Sequence, residues 1–143
     1  MHRAFHALPD LSTKSGTQIN AVYGFLLILL KIIQDFKPDY LAATFDLAGP
    51  TFRHQSYKEY KAKRVKAPDN LYQQIPIIKE FLHSLKIPIF EKQGFEADDV
   101  IGTIAKKAPQ KQSYQEIQTI ILTGDLDTLQ LIDKHTKVYT FKK

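Results

Sequence analysis

The sequence predicts an α/β fold with a mostly parallel, doubly wound sheet flanked by helices. Two observations carry that prediction. Short apolar runs of strand length alternate with longer stretches of helical length along the chain. Acidic residues also recur directly after the strand-like runs, where ligands bind in open sheets of this kind.

The elements follow in order. Leu8 to Thr17 reads as a loop, since Pro9, Asp10, Ser12, Ser15 and Gly16 are turn residues. Asn20 to about Phe36 reads as a helix capped by Asn20 and ended by Pro38. Val22, Tyr23, Phe25–Leu30, Ile32 and Ile33 make it apolar on most faces, which predicts a buried helix. Tyr40 to Phe45 is a short strand running into Asp46 and the turn Gly49-Pro50. Pro68 and Asp69 open a helix to about Leu85, and Pro76 inside it predicts a bend or restart. Ile87 to Glu91 is the next strand and Glu96 to about Lys107 the next helix. Gln118 to Leu122 is a third strand, ending at Thr123-Gly124-Asp125. A short helix, Asp127 to Ile132, and a last strand, Lys137 to Thr140, complete the reading.

Composition narrows the chemistry. The 143 residues are 43% hydrophobic and 24% charged, ordinary values for one globular domain. There is no cysteine, which excludes disulfides, zinc–thiolate sites, iron–sulfur clusters and cysteine nucleophiles. The longest apolar run, Phe25 to Leu30, ends at Lys31, far short of the ~18–20 apolar residues of a membrane span. No apolar stretch of signal-peptide length follows Met1-His2-Arg3, so the expected setting is cytoplasmic, with no membrane partner. Lys and Arg number 20 against 15 Asp and Glu, a balance of +5 that suits a polyanionic partner.

Six acids stand at or near strand ends: Asp46; then Glu96, Asp98 and Asp99; then Asp125 and Asp127. Carboxylates brought together repel, and a fold that collects them usually offsets the repulsion with cations. Oxygen-only ligation, with no cysteine and no convincing histidine pair, suits Mg²⁺ or Mn²⁺. Two such ions ~3.5–4 Å apart form the clamp used in phosphodiester hydrolysis. Each group also has a plain structural reading. Glu96, Asp98 and Asp99 suit the positive end of a helix, Asp125 suits a turn beside Gly124, Asp127 an N-cap, and Asp46 a loop start. Their joint placement on one side of a sheet favours the metal reading. From residue 51 to 67 the chain interleaves Arg53, Lys58, Lys61, Lys63, Arg64 and Lys66 with Phe52, Tyr57 and Tyr60. Read alone this is a solvated loop or a nucleic-acid groove, and the aromatic residues favour the groove.

Phe5-His6-Ala7-Leu8, Ala21-Val22-Tyr23-Gly24-Phe25, Phe45-Asp46, Phe52-Arg53-His54, Tyr60-Lys61-Ala62-Lys63-Arg64, Gly94-Phe95-Glu96-Ala97-Asp98-Asp99 and Thr123-Gly124-Asp125-Leu126-Asp127 occur in that order. The series resembles the 5′-nuclease domains of bacterial DNA polymerases and the wider flap-endonuclease family, which has a PIN-like, resolvase-like fold. The likeness covers nearly the whole chain. It implies metal-site and catalytic roles for Asp46, Glu96, Asp98, Asp99, Asp125 and Asp127 and a catalytic role for Lys61, with Arg53, Lys61 and Arg64 holding the 5′ side of the substrate near the scissile phosphate. It implies DNA contacts for Arg53, Tyr60, Lys61, Lys63 and Arg64, and an arch-like role for residues 51–67. The implied activity is removal of nucleotides or flaps at DNA 5′ ends, RNA primers included, with Mg²⁺ or Mn²⁺ and two ions.

Two departures shape the expectation. The family begins with a strand ending in Asp-Gly just before the Arg-Ala-Phe-His-Ala-Leu stretch, and here Met1 stands inside that segment. The family also continues past the last strand into a helix–hairpin–helix region. The expected object is therefore a single N-terminal nuclease subdomain over 1–143, lacking the first strand and its aspartate, acting alone or with a polymerase domain downstream in a longer protein. The alternatives are a catalytically weak DNA-binding remnant of that domain and a PIN-type ribonuclease.

Overall fold

The densest apolar stretch of the chain forms its longest helix in the computed structural model, which describes residues 2–57, 59–60, 66–108 and 117–140. The chain divides into two units, Met1–Ala43 with Lys61–Ile89, and Thr44–Tyr60 with Phe90–Lys143.

In the first unit, α1 (His2–Ala7) packs on α2 (Asn20–Phe36). The intervening loop is tied by Thr13 and Thr17 and by a single antiparallel bridge between Ser12 and Gln18. The helix α1 has no counterpart in the sequence reading. The bounds of α2 match the expectation, but two of its details do not. Ile19, not Asn20, is the N-cap, and Asn20 is a buried first helical residue. Nor is α2 buried all round: Ala21, Val22, Leu29 and Ile32 face the core, whereas Tyr23, Leu27, Leu30, Ile33 and Phe36 are exposed. The reason is geometric, since α1 and the later helix Ile75–Ser84 pack on it and, among the described residues, its outer face is left to solvent. Lys37 ends it in the left-handed conformation, returning its N–H to the Ile33 carbonyl at 3.0 Å.

The proline expected to interrupt the next helix does so. α4 (Asp69–Tyr72) stops, and α5 (Ile75–Ser84) restarts with Pro76 in its first turn, where a missing N–H leaves no bond unmade. Leu71, Ile78, Leu82 and Ile87 complete this unit's apolar core. Gln74, between the two helices, is 1% exposed, and its Oε1 accepts the N–H groups of Ala21 at 2.8 Å and Val22 at 3.2 Å. It therefore satisfies two of the orphan donors at the start of α2, the service expected of Asn20.

Among the described residues the strands fall into two pairs. β1 (Ala43–Thr44) joins β2 (Ile89–Phe90). Ala43 N–H donates to the Pro88 carbonyl at 3.0 Å and Phe45 N–H to the Phe90 carbonyl at 3.3 Å, so the bonds advance together as in parallel strands. Both strands are shorter than the apolar runs from which they were read. In the second unit, β3 (Thr119–Leu122) pairs with β4 (Thr136–Tyr139) in parallel, Ile121 opposite Val138. The crossover between them is a 3₁₀ helix, Leu126–Leu131, which packs on α6 (Ala97–Lys107). A Cβ on Gly102 of α6 would stand 3.2 Å from Leu131 Cδ2, so α6 and the 3₁₀ helix approach closely there. Among the described residues, no helix is long and apolar enough to cross a membrane.

Candidate functional site

Every described candidate except Lys66 lies in the second unit, and α6 is the organising element. The turn before it needs Gly94, whose φ of +82° lies where side-chain-bearing residues are strained. That turn presents the Gly94 carbonyl to Phe52 N–H at 3.0 Å, which fixes the start of α3 (Phe52–Ser56). The Phe52 and Phe95 rings pack at 5.5 Å between centroids. Thr51 begins α3 with a reciprocal contact: its N–H donates to His54 Nδ1 at 3.1 Å, and its hydroxyl lies 2.8 Å from the same nitrogen.

Glu96 is the N-cap of α6, and Asp98 and Asp99 occupy its first turn. Asp99 Oδ2 accepts the Glu96 N–H at 3.0 Å. Asp46 reaches the same helix start from a position 51 residues earlier, its Oδ1 accepting the Ala97 N–H at 2.7 Å. Three sequence-predicted acids thus meet at one positive helix end, where carboxylates are favoured. The structural role foreseen for Glu96 and Asp99 is real, and Asp46 shares the helix start with them through the Ala97 N–H.

A cation is already seated there. Arg53 donates from Nη1 to Asp99 Oδ2 and from Nη2 to Asp99 Oδ1, each at 2.7 Å, the bidentate form that guanidinium and carboxylate planes favour. Its Nη1 also lies 3.7 Å from Glu96 Oε2. The side chains of Arg53, Glu96 and Asp99 are 33%, 15% and 22% exposed, so this bridge is shielded beyond an ordinary surface pair. The hydrogen bonds to Asp99 hold the Arg53 guanidinium further above its ordinary value, with the charges of Asp99 and Glu96 adding to the effect. The guanidinium also lies 4.6 Å from the Phe52 ring centroid. Tyr60 donates its hydroxyl to Glu96 Oε2 at 3.1 Å. The partnership of Arg53 and Tyr60 with the acids has no signal in the sequence, because it joins residues 46 and 36 positions apart.

Asp125 and Asp127 follow β3 and are exposed. Asp125, not Asp127, is the N-cap of the 3₁₀ helix: its Oδ1 accepts the Asp127 N–H at 3.0 Å. Its carbonyl accepts the buried Thr128 hydroxyl at 2.7 Å, and its N–H donates to Thr123 Oγ1 at 3.0 Å. Among the described residues, no three or more His, Asp or Glu side chains are gathered around a point where one ion would sit. The convergence shown is that of Asp46, Glu96 and Asp99 at the start of α6.

Lys58, Lys61, Lys63 and Arg64 lie outside the described residues. Lys66, of the same basic run, is exposed and donates to Asp69 Oδ1 at 2.9 Å. That pair is local to the α4 start and largely solvated.

Residues 1–143 match the protein family described as the 5′-3′ exonuclease, N-terminal resolvase-like domain. The chain is 47% identical over 138 residues to DNA polymerase I of Caldicellulosiruptor bescii, covering 96% of this chain and 16% of that protein. It is 44% identical over 138 residues to a 5′-3′ exonuclease of Aquifex aeolicus, covering 96% of this chain and 46% of that one. It therefore spans less than half the length of either relative. Among solved structures, the T5 D15 protein co-crystallised with metal ions superposes with a TM-score of 0.66, at 18% identity, over 83% of this chain and 47% of that one. T5 5′-exonuclease with divalent metal ions (zinc) bound gives 0.65 at 18% identity, over 83% and 46%. At that identity the likeness shows the α/β, resolvase-like fold.

Proposed function

The chain belongs to the family of 5′-3′ exonuclease N-terminal resolvase-like domains, and on that premise we propose that it is a divalent-metal-dependent 5′ nuclease. The substrate is DNA with a 5′ end or flap, including an RNA primer on DNA, and the bond hydrolysed is a phosphodiester. The observation that carries the reading is the meeting of Asp46, Glu96 and Asp99 at the start of α6 in a chain that matches this family from end to end.

The donor chemistry fits the cofactor. Asp46, Glu96, Asp98, Asp99, Asp125 and Asp127 offer carboxylate oxygens only, the ligand type of Mg²⁺ and Mn²⁺, and the chain has no thiol to draw a softer ion. When bound, one or two such ions supply activation of water and neutralisation of phosphate charge. The chain's own residues do the rest. The positive end of α6 stabilises the ionised acids. Arg53, Lys61, Lys63 and Arg64 attract the phosphate backbone, and Arg53, Lys61 and Arg64 hold the 5′ side of the substrate near the scissile phosphate. Tyr60 offers a ring to a base and a hydroxyl to Glu96.

The test is a cleavage time course on a 5′-labelled flap DNA in Mg²⁺ and in Mn²⁺, with Asp46→Asn and Asp125→Asn alongside the parent chain. The expected result is shortening from the 5′ end that stops in chelator and falls on the order of 100-fold in either variant. Metal-independent cleavage would contradict the reading. Binding without cleavage would favour the DNA-binding remnant, and faster cutting of linear single-stranded RNA would favour a ribonuclease.

A further inference from the structure

We propose that Arg53 holds the place of the divalent cation at the α6 end of the acid site, so that ion entry and the Arg53–Asp99 bridge exclude one another. The inference rests on the reading of these acids as a metal site and assigns Arg53 a role in loading it.

The geometry of Asp99 carries the argument. Both of its oxygens accept from the Arg53 fork at 2.7 Å, and Oδ2 accepts in addition from the Glu96 backbone. A carboxylate has about four lone-pair directions. The fork uses the pair on its open edge, and the helix start uses a third. A hard divalent ion approaches a carboxylate oxygen to roughly 2.0–2.6 Å: on the edge that the fork fills it would collide with the guanidinium, and along the one remaining direction it would stand close against the same positive charge. The charge balance agrees. Arg53 lies 3.7 Å from Glu96 as well, and so provides the positive charge that makes two neighbouring carboxylates tolerable without an ion. A divalent ion at the same seat repels the guanidinium and makes it redundant.

Arg53 also has somewhere to go. It is the second residue of α3, whose start is anchored by Phe52 N–H on the Gly94 carbonyl. Its guanidinium already lies over the Phe52 ring, so the side chain can leave Asp99 while keeping a stacking partner. Released, it presents a planar fork suited to a phosphate. Ion loading then frees a phosphate-binding arginine beside the acids, and in the ion-free chain the same arginine keeps them neutralised.

The experiment is calorimetric titration of the whole chain with MnCl₂, comparing the parent with Arg53→Gln, Arg53→Lys and Asp99→Asn. Removing the fork releases Asp99, so Arg53→Gln should bind Mn²⁺ roughly three- to tenfold more tightly. Arg53→Lys keeps a charge but not the fork and should gain less. Melting temperatures give a second readout. In chelator Arg53→Gln should melt below the parent, and saturating Mn²⁺ should narrow the gap, because the tighter-binding variant gains more from its ligand. An arginine with only a structural role would leave the gap and the affinity unchanged. Equal or weaker Mn²⁺ binding by Arg53→Gln overturns the proposal; if that variant is unfolded, absence of any gain in Arg53→Lys does the same. Asp99→Asn separates the two claims. Weaker Mn²⁺ binding in Asp99→Asn with no gain in Arg53→Gln sinks the arginine proposal alone. Unchanged binding in Asp99→Asn sinks both.

Discussion

Asp133 shows how much one exposed carboxylate does for backbone order. Its Oδ1 accepts the N–H groups of His135 at 2.8 Å and Thr136 at 2.7 Å, closing the turn that launches β4. The His135 backbone hydrogen bond is the main reason that its carboxyl is held below the usual aspartate value, with Thr136 contributing. A folded-state pKa below the unfolded one means that the stabilisation is fully present above about pH 5. It is lost as pH falls through the ordinary carboxylate value of about 3.9 and then through the lower folded value. The parent chain should therefore melt above Asp133→Asn at pH 6, and the difference should disappear by about pH 2. A difference that stays constant across that range would contradict the assignment. Arg53 is legible in the sequence only in part. Its residue type and its place in Phe52-Arg53-His54 were readable, and so was a match to phosphate contacts. Its bond to Asp99 was not, because a side-chain pair 46 positions apart leaves no trace in local pattern.

α2 marks the boundary of what a sequence displays about an element. Its ends, Asn20 and Phe36, followed from apolar density and from Pro38, both local features. Its cap and its exposed face depend on what packs beside it, and so were misread. The short strands β1 and β2 make the same point, since strand length is set by the partner and not by the apolar run alone. Gln74, a polar residue between two short helices, carried no sign of its role. Its Oε1 holds the N–H groups of Ala21 and Val22, and its Nε2 donates to Asn20 Oδ1 at 3.1 Å and to the Asn70 carbonyl at 3.2 Å. Asn20 in turn donates to the Phe5 carbonyl at 3.0 Å, linking α1 to the same network. Gln74→Ala should orphan two buried helix N–H groups and destabilise the chain by about 2–3 kcal/mol. Urea unfolding at neutral pH reads this directly. A loss under about 0.5 kcal/mol would mean that water replaces the glutamine.

The whole chain carries +5, yet six of its 15 acids were read from sequence as one group, and that contrast is the strongest functional signal it holds. The order of motifs along nearly the full length was legible, and the family match bears it out. The meeting of Asp46 with the start of α6 was legible as well, because strand ends in an α/β fold are where such groups converge. What the motifs did not reveal is that an arginine occupies the carboxylates brought together there. The proposed function requires the α6 acids and the Asp125–Asp127 turn to serve one divalent-metal site. Paramagnetic broadening by sub-stoichiometric Mn²⁺, followed in the backbone amide spectrum of the whole chain, tests that claim most directly. With one shared site, the amide signals of Glu96, Ala97 and Asp127 fade together and before those of Asp10, Asp35 and Asp69. Broadening at only one of the two clusters, or spread evenly over the surface acids, would contradict it.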